Sequence, residues 1–106
     1  MAYAGRCAIT GCNAEAALEA AHIRPYSGPK SDRVSNGLLL RADIHKLFDH
    51  GLFRIAPDTL TVALAPELKG TTYKELEGAE LTLPIREIDR PSKEALRARW
   101  EGASAS

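Results

Sequence analysis

A chain of 106 residues is long enough for one domain and too short for two. Hydrophobic residues make up 44% and charged residues 26%, an ordinary globular balance, and the formal net charge is zero. Zero net charge excludes a whole-molecule attraction to nucleic acid, so any basic surface must be local. The longest apolar runs, such as "GLLL", cannot span a membrane, and no apolar stretch of signal-peptide kind follows Met1. Two cysteines without a secretory pattern lead us to expect reduced thiols and a cytoplasmic protein.

"MAYAGRCAITGCNAEAALEAAHIRPY" opens with a turn-like "TGC". Arg24 precedes Pro25 and so leaves the α region, which predicts an extended segment from about Leu18 to Ile23. "SGPKSDRVSNG" is a polar loop. In "LLLRADIHKLFDHGLF", Ile44, Leu47 and Phe48 recur at helical spacing, with Asp43 as N-cap and Gly51 as the stop. "LFRIAPDTLTVALAP" predicts a hairpin turning at Pro57-Asp58. "YKELEGAELTLP" adds a short extended piece. "RPSKEALRARWEG" predicts a final helix with Ser92 as N-cap and Leu96, Arg99 and Trp100 on one face. "ASAS" is expected as a frayed tail.

The polar residues that carry chemistry are His22, Asn36 and His45, in that order on strand, loop and helix. A loop that folds back can bring them to one point. Asp49 lies four residues beyond His45, so an imidazole nitrogen and a carboxylate share one helix face and can serve one cation. His22 can then act as a base. Such a set suits phosphodiester hydrolysis, in which a neutral imidazole takes the proton of the attacking water near pH 7. A divalent cation stabilises the charge that builds on phosphate and leaving oxygen.

"CAITGC", "LEAAHIRPYSG" and "SNGLLLRADIHKLFDHGL" together resemble the HNH endonucleases, in the branch whose motif reads A-H-I-x-P, N-G-L-x-L, D-x-H-x-L-F-D. The resemblance implies an α+β fold: a ββα-metal core over residues 7–55, a C-terminal extension over 56–101 with an added hairpin and helix, and the tail at 102–106, all within one domain spanning 1–106. It implies that His22 is the general base, that Asn36 holds the loop and orients the base, and that His45 is a metal ligand. Asp49 falls where many members have a second helix ligand. Many members also carry His or Asp just before the base, where this chain has Ala21. One divalent ion is implied, with Mg²⁺ or Mn²⁺ fitting the mixed donors best and Ni²⁺ or Zn²⁺ as alternatives.

Arg24, Lys30, Arg33, Arg41, Lys46 and Arg54 surround the motif, while much acid lies between Glu67 and Glu80. The first five are candidate contacts to a phosphate backbone. His50 neighbours Asp49 and is expected at the surface. Cys7 and Cys12 form one C-x4-C pair, and two thiolates cannot close a tetrahedral zinc site. The expected function is metal-dependent hydrolysis of double-stranded DNA with weak sequence preference. The domain would be the catalytic module of a restriction-type or mobile-element protein, alongside a DNA-reading domain in a longer parent. Two other readings stay open: a DNA-binding module with a degenerate site, suggested by Ala21, and a toxin-type nuclease with an immunity partner.

Overall fold

The computed structural model describes residues 3–24 and 34–105. The expected polar loop, with Lys30 and Arg33, falls largely outside these residues. Strands β1 (Leu18–His22) and β2 (Gly37–Arg41) pair antiparallel, with Leu18 opposite Arg41 and His22 opposite Gly37. Helix α1 (Ala42–Asp49) starts directly after β2, with no connecting loop. These three elements make the ββα core. In β2 the apolar residues alternate as a two-residue period requires: Leu38 and Leu40 are buried and Leu39 is half-buried.

Helix α1 is held to the sheet by Ile44 and Phe48, one turn apart and both buried. Truncating either to alanine would cost ~2–5 kcal/mol. The helix closes in a Schellman motif, with Leu52 N–H donating to the Leu47 carbonyl and Gly51 N–H to the Phe48 carbonyl. Gly51 takes the left-handed conformation this requires, at φ +74°.

Asp43 is not the N-cap. That position falls to Arg41, with no side-chain cap bond, and Asp43 sits inside the first turn. Its carboxylate is taken by Arg41, through Nε at 2.6 Å and Nη2 at 3.0 Å, and by the Tyr73 hydroxyl at 2.7 Å. The Arg41 bonds, chiefly, hold the Asp43 carboxyl well below its usual range, at about 2.

The hairpin forms as β3 (Phe53–Ala56) and β4 (Thr61–Leu64), turning through Pro57–Leu60. The expected extended piece is only partly present. Thr72–Leu76 is a 3₁₀ turn, begun by Thr71, whose hydroxyl accepts from Tyr73 N–H. Residues 78–81 then run beside β4, bridging Thr61 to Glu80. Helix α2 (Lys93–Ala105) is capped by the Ser92 hydroxyl, which accepts from Ala95 N–H at 3.1 Å. Its helical backbone continues through Ala105, where the sequence suggested a frayed tail. Ala95 and Leu96 bury its inner face. No helix among the described residues is long and apolar enough to cross a membrane.

The N-terminal turn docks on β2. Ala8 N–H donates to the Leu39 carbonyl, and Cys7 Sγ accepts from the Thr10 and Arg41 amides. Cys7 and Cys12 are free thiols. They bracket a turn, as expected, but only Cys7 is buried; Cys12 is half-buried.

Candidate active site

The spacing that buries Ile44 and Phe48 sets His45 and Asp49 one position further round the helix, as a second i,i+4 row. His45 Nε2 lies 3.1 Å from Asp49 Oδ2. On its other side, His45 Nδ1 lies 2.7 Å from Glu19 Oε1 on β1. Strand alternation explains the contact. Glu19 and buried Ala21 point to the α1 side of the hairpin, and Glu19 lies near the end where β2 hands over to α1.

These residues fit one divalent cation. Two adjacent oxygen or nitrogen ligands of an octahedral ion at ~2.1 Å lie about 3.0 Å apart, close to the Nε2–Oδ2 separation. The Glu19 carboxylate can accept Nδ1–H and so leave the Nε2 lone pair directed outward, as a second-sphere carboxylate does for a metal-bound histidine. Among the described residues, no group of three or more His, Cys, Asp or Glu side chains is placed to share an ion. A cation here would have two protein ligands and fill its shell with water and phosphate, as Mg²⁺ commonly does.

His22 is the last residue of β1, half-buried, with its Cα about 10 Å along the strand from that of Glu19. Asn36, 8% exposed, lies just before β2 and bonds to the backbone that follows His22. Its Oδ1 accepts Arg24 N–H at 2.9 Å, its Nδ2 donates to the Arg24 carbonyl at 3.2 Å, and its own carbonyl accepts Ile23 N–H at 2.8 Å. These bonds fix the two residues following His22. Glu19, Asp49 and His45 thus form one bonded group, and His22 and Asn36 lie at the other end of β1, about 10 Å along the strand from Glu19.

The candidate phosphate contacts divide. Lys46 is exposed on α1, and Arg24 is exposed with Glu94 at 3.9 Å. Arg41 spends its guanidinium on Asp43, and Arg54 lies over the Trp100 ring at 4.5 Å. His50 is exposed, as expected. Glu19 is the site residue that the motif reading passed over. Its only local signal is an acid two residues before an inward-facing alanine on a strand.

Residues 7–56 match the family model for HNH endonuclease. A solved structure of a modification-dependent TagI restriction endonuclease is similar over 95% of this chain, with a TM-score of 0.62 and 26% identity. The match covers 34% of that protein, so this chain spans about a third of its length. The curated proteins contain no match. The HNH endonuclease match thus falls on the segment that contains β1, β2 and α1, and the fold is consistent with a ββα core.

Proposed function

We propose that the 106 residues form a single catalytic domain of a restriction-type DNA endonuclease, which hydrolyses phosphodiester bonds with one divalent cation. The observation that carries this reading is the 3.1 Å pairing of His45 Nε2 with Asp49 Oδ2, with Nδ1 held by Glu19. His45 and Asp49 would hold the cation, and the mixed nitrogen and oxygen donors favour Mg²⁺ or Mn²⁺. When bound, the cation supplies Lewis-acid stabilisation of the charge on the scissile phosphate and leaving oxygen.

The chain's own residues do the rest. His22, neutral, accepts the proton of the attacking water. Asn36 fixes the backbone that follows His22, so the imidazole is presented from a held strand end. Glu19 keeps the His45 proton on Nδ1. Lys46 and Arg24 meet the phosphate backbone, with Lys30 and Arg33, which lie outside the described residues, as further candidate contacts. Such contacts carry no sequence information, so the domain alone cuts double-stranded DNA with weak preference. The length of the restriction-endonuclease neighbour supports a longer parent with a DNA-reading domain. Free Cys7 and Cys12 suit the reducing cytoplasm.

Plasmid nicking by wild type and His22→Ala across Mg²⁺, Mn²⁺, Ni²⁺, Zn²⁺ and EDTA tests the reading. Wild type should cut with a metal and not with EDTA, and His22→Ala should lose ~10²–10⁴-fold while still binding metal. A wild type that binds DNA but cuts with no cation would leave a degenerate binding module instead. Residual cleavage by His22→Ala within a few-fold of wild type would defeat its assignment as the base.

A further inference from the structure

We propose that Arg99, on a helix outside the matched segment, is a positioning residue that locks the strand end carrying His22 against the helix end carrying Asp49. The inference rests on the nuclease reading for its effect on catalysis. Its structural basis is independent of that reading.

The hairpin and α1 meet at the Arg41–Ala42 junction, and the candidate base and ligand lie far from it. His22 is four residue pairs along the hairpin, about 13 Å away. Asp49 is at the opposite end of α1, about 10 Å along the helix. Chain connectivity therefore fixes the near ends of the two elements, and the far ends, packed in one core through buried Ile23 and Phe48, are left to be tied by a polar contact.

Arg99 makes that tie. Its Nη1 donates to the Ile23 carbonyl at 3.0 Å, one residue after His22. Its Nη2 donates to the Phe48 carbonyl at 2.5 Å, one residue before Asp49. The guanidinium also stacks over the Phe48 ring, 3.8 Å from its centroid, which fixes its plane. Phe48 is the residue whose carbonyl also accepts the Schellman bond, so the cation sits at the negative end of α1. Burial pulls the guanidinium below its ordinary pKa, with the nearby Asp49 carboxylate acting in the opposite sense. The planar fork suits two carbonyls at once; a lysine ammonium is a point charge on a flexible stem.

The bridge is separable from the anchoring of α2. Buried Ala95 and Leu96, the Ser92 cap and the Ser92 N–H bond to the Ser35 carbonyl already hold that helix. Loss of the guanidinium should loosen the two far ends while α2 stays docked.

The test compares Arg99→Gln and Arg99→Lys with Leu96→Val, which weakens α2 without touching the bridge. At saturating Mn²⁺ and well below each melting temperature, Arg99→Gln should lower kcat at least tenfold. Arg99→Lys should fall between it and wild type. The Mn²⁺ affinity should stay within about threefold, because His45, Asp49 and Glu19 all lie on the junction side of the tie or on α1 itself. Leu96→Val should keep kcat within twofold. In metal-free ¹H–¹⁵N spectra, the amides of Arg24 and Asp49, which share peptide groups with the two carbonyls, should shift together in both Arg99 variants and hold in Leu96→Val. Unmoved amides would overturn the bridge whatever the cleavage assay gives. Moved amides with wild-type kcat would overturn the positioning role. A wild type that cuts nothing would defeat the nuclease reading, and the spectra would still decide the bridge.

Discussion

Replacing Glu19 by alanine removes the acceptor of His45 Nδ1–H and leaves both proposed ligands in place. The bond is short, 2.7 Å, in the range of charge-assisted contacts. Loss of a second-sphere partner typically costs ~10–100-fold in metal affinity. The Glu19 side chain is 52% exposed, so water screens it and can replace it in part. The lower end of that range applies: about tenfold, or about 1.4 kcal/mol. Glu19→Gln keeps an oxygen that can accept the same proton and should weaken binding by less than about threefold. Calorimetric titration with Mn²⁺ measures both variants, and the ¹⁵N shifts of the His45 ring report which nitrogen holds the proton. Alanine and wild type binding equally would show that Glu19 does not orient the ring. Glutamine as damaging as alanine would show that its charge, and not its hydrogen bond, is what the cation needs.

What the sequence made legible is what local pattern controls. The i,i+4 row of His45 and Asp49, the turn at Pro57-Asp58 and the Ser92 cap each depend on a few neighbouring residues, and each is present, whereas the bonds of Asn36 reach twelve positions back to Arg24. Glu19 was not legible because its partner is 26 positions away and is chosen by strand register. Asp43 misled for a related reason. It has the identity and approximate place of a cap, but Arg41 two residues earlier and Tyr73 thirty residues later claim its carboxylate. That pairing also removes Arg41 from the cations that a count of basic residues assigns to DNA. Tyr73, in the 3₁₀ turn at Thr72–Leu76, is the residue that reaches Asp43. Arg99 reads as one of several face residues on an amphipathic helix; only the tertiary fold shows that it holds two carbonyls on separate elements.

The Cys7→Ser, Cys12→Ser double variant should keep its activity and contain no stoichiometric zinc in either form, as measured by elemental analysis; zinc lost together with the fold would overturn this. Asp43, depressed to about 2 from 3.8, contributes stability that is fully present above about pH 4 and is lost as pH falls toward 2. Its partial exposure keeps that contribution to ~1 kcal/mol or less, so urea melts of wild type and Asp43→Asn should converge over that interval; parallel curves would refute the assignment. The last prediction separates ligand from base. His45→Ala removes the nitrogen ligand and leaves a carboxylate with waters, and Asp49→Ala leaves a lone imidazole. Ala21 offers no donor in exchange, and Glu19 is engaged with the far side of the His45 ring. Each variant should lose metal affinity first and turnover second, so that raising the metal concentration restores part of the cleavage rate. His22→Ala should gain nothing from added metal, because its defect is a missing proton acceptor. Cleavage rate against metal concentration for the three variants decides the matter. If Asp49→Ala titrates like wild type while His45→Ala does not, the 3.1 Å contact is an ion pair on the helix surface and the second ligand must lie elsewhere. Glu19 would then be the first candidate, since it is the other carboxylate bonded to the same imidazole.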